Sequence, residues 1–254
     1  MKVVEDVAEL IEHRRARGTG ATGLVPTLGA LHEGHLSLVR RAKSENARTW
    51  VSIFVNPAQF NDPADLARYP RTLERDLELL RSAGCDLVFL PRAEDVYRDG
   101  YRYRVSENSL SLQLEGAARP GHFDGVLTVV LKLLLITRPD RAYFGEKDFQ
   151  QLELVEGLVH AFFLDTRIVR CPTLREPDGL AMSSRNRFLT PAERARAPAL
   201  HRVLARSVAE RLPAAETADA LAREGFEVDY VADRDGRRLA AVQLGNVRLI
   251  DNVE

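Results

Sequence analysis

The sequence predicts an α/β fold, in which a parallel β-sheet covered by helices is followed by a smaller α+β domain. Over the first two thirds of the chain, short strand-like runs alternate with helical patterns, which is typical of a parallel sheet with helices on both faces. The pattern changes near Glu176-Pro177-Asp178-Gly179. The 254 residues are also enough for two domains. We therefore expect domains at residues 1–175 and 176–254.

The strands expected in the first domain are β-rich or apolar runs that end at a turn or a proline. They lie at 24–26, 50–55, 87–90, 141–144 and 166–169, and the helices between them at 36–46, 73–83, 125–137 and 149–160. Asp124 is a plausible N-cap of the third helix, and Gly84 suits the C-terminus of the second. The apolar stretch from Val126 to Ile136 is shorter than the roughly 20 residues of a membrane span, so we interpret it as a buried helix.

The second domain begins with a clear helix start. Thr190-Pro191-Ala192-Glu193 is a capping box with proline at the first helical position. It predicts a long Arg/Ala/Leu helix, which Pro213 separates from a shorter helix near 218–223. Strands are expected at 226–231 and 247–250, with a turn at 233–236 between them.

Composition limits the function classes. The net charge is −1, and a dominant nucleic-acid partner would require a basic excess. Cys85 and Cys171 lie far apart in neither a disulfide framework nor a zinc spacing, which fits a reducing compartment. The N-terminus has no apolar signal segment. We therefore expect a cytoplasmic protein that acts on small molecules, with no nucleic-acid or membrane partner.

The segment from Pro26 to His35 follows a predicted strand and opens a helix. Ligands bind at the carboxyl ends of such strands, and a helix N-terminus offers free N–H groups to phosphate. His32 and His35 lie three apart, on one helical face, where both could donate to phosphoryl oxygens. The alternatives are a structural histidine or a zinc pair, although H-x-x-H lacks the i, i+4 spacing of the zinc-protease helix.

Two further segments suit an anionic ligand. The first, 144–151, again joins a strand to a helix; Gly145 permits a tight turn, Asp148 is a possible cap, and Lys147 is one of only four lysines in the chain. The second, 179–186, combines two serines with a guanidinium in Met182-Ser183-Ser184-Arg185. The alternatives are a solvated lysine and a polar loop that caps the next helix, but Thr190 already caps that helix.

Three weaker groups complete the candidates. The neutral amides Asn56, Gln59 and Gln151 suit a small polar, hydroxylated substrate, although Asn56-Pro57 is also a common turn. Asp76 could approach a magnesium ion through water, with a solvated helix start as the alternative. The segment 119–125 could line the substrate cleft or serve only for helix entry and packing.

Together these segments resemble the pantothenate synthetase (pantoate–β-alanine ligase) family. The resemblance covers nearly the whole chain, and it rests on the segments 26–35, 51–60, 69–76, 121–134, 139–152, 176–189 and 248–252. It implies a Rossmann-type ATP-binding domain, a smaller C-terminal lid and a homodimer. It also implies a reaction in which ATP and pantoate form pantoyl adenylate and pyrophosphate, after which β-alanine displaces AMP. ATP and Mg²⁺ are the implied cofactors.

The resemblance also implies roles for individual residues. His35, His32, Lys147 and Arg185 match catalytic positions. Gln59 and Gln151 match pantoate-binding glutamines, with Gln59 also near β-alanine and Asn56 beside it. The ATP-binding positions it implies are Leu28, Gly29, Ala30, Leu31, His32, Glu33, Gly34, His35, Gly145, Glu146, Lys147, Asp148, Leu174, Met182, Ser183, Ser184 and Arg185.

The chain departs from the family at two points. Leu28 replaces a usual methionine of similar volume, and the C-terminal domain is compact around 213–245. Another nucleotidyltransferase of the same fold, acting on a different small acid, would share the histidine motif but need not share the three amides. A tRNA-binding module would need a basic appendage, and a metal hydrolase would need a third ligand.

Overall fold

The computed structural model describes residues 1–61 and 63–254, which form two compact units. The first unit comprises 1–145 and 150–171, and the second comprises 146–149 and 172–254. The main division thus falls at Cys171 and Pro172, with the short segment 146–149 packed in the second unit. The expected domain boundary at 175/176 stays a prediction.

In the described part of the chain, the first unit contains a parallel sheet of six strands in the order β1-β4-β3-β2-β5-β6. The strands are β1 (Lys2–Val4), β2 (Thr22–Thr27), β3 (Arg48–Ile53), β4 (Leu87–Phe89), β5 (Arg141–Gly145) and β6 (Arg167–Cys171). The helices of this unit are α1 (Val7–Ala16), α2 (Glu33–Glu45), α3 (Pro63–Arg68), α4 (Leu73–Ser82), α5 (Ala93–Val96), α6 (Glu115–Ala118), α7 (His122–Thr137) and α8 (Phe149–Ala161). Short 3₁₀ turns of this unit lie at Pro57–Gln59 and Leu110–Leu112, whereas the 3₁₀ turn Glu146–Asp148 belongs to the second unit.

Helices cover both faces of the sheet. Successive strand residues point to opposite faces, so each strand contributes side chains to an apolar cluster on either side. Leu24 and Trp50 pack into one apolar cluster with the side chains of α7, while their neighbours Val25 and Val51 pack into another with α2 and α4. The apolar helix α7 is buried along most of its length. The predicted parallel α/β sheet and the buried helix are confirmed.

The second unit is α+β, also as predicted. Its helices are α9 (Pro191–Arg196), α10 (Ala199–Ala209) and α11 (Ala214–Arg223), and a 3₁₀ turn spans Ser184–Phe188. Its antiparallel strands are β7 (Glu227–Arg234), β8 (Arg237–Leu244) and β9 (Val247–Val253), in that order across the sheet. Thr190 and Glu193 form the predicted capping box.

Two local expectations were wrong, and some elements were not predicted. Helix α7 begins three residues early, with Gly121 (φ +80°) rather than Asp124 as its N-cap. The predicted long Arg/Ala/Leu helix is two helices, α9 and α10. Pro198 separates them, because proline has no backbone N–H for the hydrogen bond that would continue the first helix. The middle strand β8 and the N-terminal elements β1 and α1 were not predicted.

Candidate active site

The first unit reverses its strand order at β2. The chain proceeds outward through β2, β3 and β4 on one side, and through β5 and β6 on the other. Ligands of open parallel sheets bind at the carboxyl ends of the strands beside such a switch point. The segments that follow β2, β3 and β5 at this edge carry the histidine pair, Asn56 with Gln59, and Gln151 in the first turn of α8. The fold therefore brings these sequence-predicted groups to one edge of the sheet.

The loop after β2 turns sharply before α2 begins. Thr27 Oγ1 donates to Ser52 O (2.9 Å) and accepts from the backbone N–H of Gly29 (3.2 Å). Gly29 (φ +79°) and Ala30 (φ +51°) both adopt left-handed backbone angles. Glycine tolerates that conformation and alanine does so at a cost, so the turn at Ala30 must be held by its surroundings.

Asp76 holds that turn. Its Oδ2 accepts from Ala30 N (2.8 Å), and its Oδ1 accepts from Leu31 N (2.9 Å) and from the Thr72 hydroxyl (3.1 Å). The residue is only 1% exposed, so the alternative of a solvated helix start is wrong. Asp76 joins the first turn of α4 to the loop 28–32 between β2 and α2, which we call the phosphate loop. Both of its carboxylate oxygens are committed to that loop and to Thr72.

The two histidines cap α2. His32 Nδ1 accepts from Gly34 N (3.2 Å), and His35 Nδ1 accepts from His32 N (3.4 Å), which completes a capping box. Since each Nδ1 is an acceptor, each neutral ring carries its proton on Nε2. The rings lie 4.0 Å apart between centroids. The helix N-terminus thus presents two imidazole N–H donors beside each other.

A buried hydrogen-bond network surrounds Asn56. Its Oδ1 accepts from Tyr97 Oη (2.7 Å) and Ala58 N (3.3 Å), and its Nδ2 donates to Gln59 Oε1 (3.1 Å) and Gly125 O (3.1 Å). An asparagine amide has two donor hydrogens and two acceptor lone pairs, and all are used here. Burial raises the pKa of Tyr97, so its hydroxyl stays protonated and donates. Asn56 therefore orients Gln59.

The segment 119–125 contacts the same glutamine at its backbone carbonyl. His122 Nδ1 lies 2.8 Å from Gln59 O; a carbonyl can only accept, so Nδ1 carries a proton. In the neutral ring, His122 Nε2 then accepts from Arg119 Nη1 (3.1 Å). A Cβ at Gly125 would lie 2.2 Å from Ala58 O, so only glycine allows α7 to approach this closely. The segment 119–125 therefore packs against residues 56–59 and also contains the start of α7.

Two adjacent glutamines begin α8 and differ in their surroundings. Gln150 is buried; its Oε1 accepts from Glu115 N (3.0 Å), and its Nε2 donates to Leu110 O (2.7 Å) and Gln113 O (2.8 Å). Gln151 is partly exposed. Gln150 is therefore a structural residue that anchors the 110–115 segment, and Gln151 is the amide available to a ligand.

In the second unit, the Glu146–Asp148 turn carries Lys147. The lysine side chain is 19% exposed, and its Nζ lies 3.9 Å from Asp148 Oδ1. Lys147 and Ser183 line one small cavity of about 10 Å³, room for about one water molecule. The structure thus brings the two predicted anion-binding segments of this unit together.

The segment that contains Leu174 and Met182 is a closed loop. Met182 N donates to Leu174 O (3.0 Å), and Arg175 and Ala181 form an antiparallel bridge. Ser183 Oγ then accepts from Arg185 N (3.2 Å) and caps the following 3₁₀ turn. Leu174 is 38% exposed. The predicted residues of this segment therefore share one ordered scaffold.

The sequence did not identify every residue that builds these scaffolds. No sequence motif indicated Tyr97, because the hydrogen bond of its buried hydroxyl to Asn56 joins residues far apart in the sequence. Asp251 and Asn252 were noted only as part of the family resemblance, and Asp76 was assigned to a metal rather than to the loop.

Among the residues that the structure describes, no group of three or more His, Cys, Asp or Glu side chains is arranged to hold a metal ion. None of the helices described has both the length and the apolar character that crossing a bilayer requires.

The pantoate-beta-alanine ligase family model matches this chain over residues 1–254. A pantothenate synthetase from Bdellovibrio bacteriovorus is 54% identical over 240 residues, 94% of each chain. One from Legionella pneumophila is 46% identical over 253 residues, 99% of each chain.

Solved structures agree with these sequence relatives. The pantothenate synthetase from Thermus thermophilus superposes with a TM-score of 0.92 at 43% identity, covering 100% of this chain and 99% of that one. A pantoate-beta-alanine ligase from Francisella tularensis, complexed with beta-gamma ATP and beta-alanine, gives 0.92 at 41% identity, covering 100% and 97%. The chain therefore belongs to the pantoate–β-alanine ligase family of enzymes.

Proposed function

We propose that this enzyme joins pantoate to β-alanine at the expense of ATP, through a pantoyl adenylate, and releases pyrophosphate and AMP. One observation carries the proposal. Two imidazole donors at the N-terminus of α2 lie at the same sheet edge as the Gln59 amide, which Asn56 orients. Family membership supplies the substrate class. The Francisella tularensis relative, complexed with beta-gamma ATP and beta-alanine, supports two of the three substrates.

In the first step, a pantoate carboxylate oxygen attacks the α-phosphorus of ATP. The new bond is the acyl–phosphate bond, and the bond to the β-phosphate bridging oxygen breaks, so that pyrophosphate leaves. A carboxylate is a poor acyl donor, and this step turns one of its oxygens into a good leaving group. The enzyme needs mainly to align the reactants and to stabilise charge on the phosphoryl oxygens.

The proposed catalytic groups suit that task. The Nε2–H groups of His32 and His35 donate to phosphoryl oxygens at the positive end of α2. Lys147 and Arg185 add cationic charge toward the phosphates. The proposed ATP-binding residues are 28–35, 145–148, Leu174 and 182–185.

Pantoate binding is proposed for Gln59 and Gln151, with β-alanine also near Gln59. The Gln59 amide accepts from Asn56 through Oε1, which directs its Nε2 donors away from that contact. Asn56 has no hydrogen-bonding capacity left for a substrate, so we propose that it acts through Gln59.

In the second step, the neutral β-alanine amine attacks the acyl carbon and its nitrogen releases one proton to solvent. The bond from that carbon to the bridging oxygen breaks, and AMP leaves with the oxygen. No side-chain nucleophile is needed. The adenylate is prone to hydrolysis, so a domain that excludes water is useful, and the role of residues 176–254 as a lid remains a prediction.

Mg²⁺ is proposed to enter with ATP. The ion commonly binds substrate phosphates together with one or two carboxylates and several waters. The carboxylate oxygens of Asp76 already accept three hydrogen bonds, so the donor set around it does not fit a direct metal ligand. An approach through water remains the prediction, and no step above depends on it.

We also propose a homodimer that works in the cytoplasm. The dimer follows from family membership alone. The compartment is supported by Cys85 and Cys171, which are both buried and lie in neither a disulfide framework nor a zinc spacing, as is usual where thiols are kept reduced.

The test is a product assay with purified enzyme. ATP and pantoate are incubated with and without β-alanine, and AMP, pyrophosphate and pantothenate are quantified by chromatography. Equal amounts of AMP and pantothenate are expected only when β-alanine is present. A panel of other small hydroxy acids covers the alternative function; faster AMP formation with one of them would contradict the pantoate assignment.

A further inference from the structure

The last strand of the second unit, β9, carries two adjacent polar residues, Asp251 and Asn252, just before its final residue. Both are 3% exposed. They lie on β9, which pairs with β8 along its whole length and packs on the apolar core of this unit. Buried polar side chains at the end of a core strand need partners, and those partners identify their role.

Asn252 contacts the turn that carries Lys147. Its Nδ2 donates to Glu146 O (2.8 Å) and to Lys147 O (3.1 Å). Its Oδ1 accepts from Arg237 Nη1 (2.9 Å). Both amide hydrogens therefore go to the backbone of the turn, and the arginine fixes which way the amide points.

Asp251 contacts the other predicted ATP segment. Its oxygens accept from Arg175 Nη1 (2.7 Å) and Nη2 (2.9 Å), a bidentate pair. Arg175 also donates to Gly179 O (3.1 Å), across the loop that Leu174 and Met182 close. Asp251 thus ties that loop to β9 through one guanidinium.

We propose that Asp251 and Asn252 are positioning residues that hold two parts of the second unit on one strand. These are the turn Glu146–Asp148 and the loop 174–185, which contains the proposed ATP-binding residues Leu174 and 182–185. This inference rests on the proposed function for the identity of the ligand. Because the two residues are neighbours on a paired strand, a displacement of β9 would move both segments together. The position of the Lys147 ammonium and that of the segment 182–185 therefore both depend on β9.

The turn has a second attachment, so losing Asn252 should misplace it rather than unfold the unit. Arg237 Nη2 donates to Glu146 Oε2 (3.2 Å), and the Arg237 guanidinium lies 4.9 Å from the centroid of the Phe149 ring. The side chain of Asn252 donates both of its amide hydrogens to the backbone beneath Lys147 and otherwise accepts one hydrogen bond from Arg237. This makes Asn252→Ala the informative variant.

The experiment compares Asn252→Ala with Gln243→Ala. Gln243 is an amide on β8 whose Nε2 donates to Gly245 O (3.0 Å), at the far end of the strand. Asn252→Ala should raise the KM for ATP by roughly tenfold, the scale of one or two lost hydrogen bonds, and leave the KM for pantoate within about twofold. Gln243→Ala should change neither. In a Lys147→Ala background, Asn252→Ala should cause little further loss, since residues that act through one another are not additive.

Hydrogen–deuterium exchange of the ligand-free enzyme keeps this inference separate from the proposed function. Amides in 146–149 should exchange faster in Asn252→Ala than in the wild type, while the amides of β8 stay unchanged. If the wild type makes no AMP and pantothenate from ATP, pantoate and β-alanine, the proposed function fails, and the exchange result still decides whether Asn252 holds the turn. Unchanged exchange at 146–149 would overturn the inference, as would equal weakening of ATP and pantoate binding.

Discussion

Asp76 Oδ2 accepts a 2.8 Å hydrogen bond from the backbone N–H of Ala30, a residue with φ of +51°. The buried carboxylate on α4 thereby fixes a left-handed turn in the loop before the histidine pair. The phosphate loop is held in shape by a group outside it, and preorganised donors of this kind are what charge-developing reactions need.

Asp76→Asn should therefore impair ATP use. An amide would point an N–H at Ala30 N or Leu31 N, so one hydrogen bond is lost and the loop relaxes. We expect kcat/KM for ATP to fall roughly 10- to 100-fold, the scale for hydrogen bonds to a charged group. Glu74→Gln, an exposed change in the same helical turn, is the control and should have no effect. Equal kinetics for both variants would show that the turn holds itself.

His35→Ala tests the imidazole donors. Its single-turnover adenylation rate should fall by roughly 10²–10³-fold, the scale for one preorganised transition-state donor. The matched control is His160→Ala, an exposed histidine near the end of α8. If His35→Ala forms adenylate at a near-normal rate, the ring serves only to cap α2.

The two adjacent glutamines should separate binding from stability. Gln151→Ala should raise the KM for pantoate by roughly tenfold and leave that for ATP nearly unchanged. Gln150→Ala loses three hydrogen bonds to the 110–115 segment and should lower the free energy of unfolding by about 2 kcal/mol. Kinetics and urea unfolding of both variants measure this, and the reverse pattern would exchange their roles.

Acid should weaken the contact between Asp251 and Arg175. Burial favours a raised pKa for Asp251, but the His201 imidazole, 3.6 Å away, and the hydrogen-bonded Arg175 guanidinium outweigh it and hold the pKa below its ordinary value. A lowered carboxyl pKa stabilises the fold above the unfolded value of about 3.9, and this contribution is lost as the pH falls through the folded pKa.

Urea unfolding of the wild type and Asp251→Asn measures that loss. Breaking one side of a buried pair costs about 3 kcal/mol at pH 7, and the gap between the two proteins should shrink as the pH falls below about 4. Asp219→Asn, an exposed change on α11, should give no gap at either pH. A gap that stays constant with pH would contradict the assignment.

The sequence predicted the parallel sheet because alternating β-rich and helical runs follow directly from local patterning. It missed β8, since the run Arg237–Leu244 begins with two arginines and follows the turn, and its alternation is hidden by small alanines. It joined α9 to α10 because their composition is uniform and Pro198 was not weighted as a helix breaker.

For the candidate site, motifs identified the groups that face a ligand, while the groups behind them came only from the structure. Asp76 lies more than forty residues from the loop that it holds, and Tyr97 is equally distant from Asn56. Local spacing carries no information about such contacts. The assignment of Asp76 to a metal shows how an aspartate near a helix start is ambiguous until its partners are known.

Oxygen transfer tests the central claim most directly. Pantoate with both carboxylate oxygens labelled as ¹⁸O is converted with ATP and β-alanine, and the ¹⁸O content of each product is measured by mass spectrometry. If the acid is activated as an adenylate, one labelled oxygen must leave with AMP and the other must stay in the amide of the product. AMP without label, or label in inorganic phosphate released together with ADP, would contradict the adenylate mechanism.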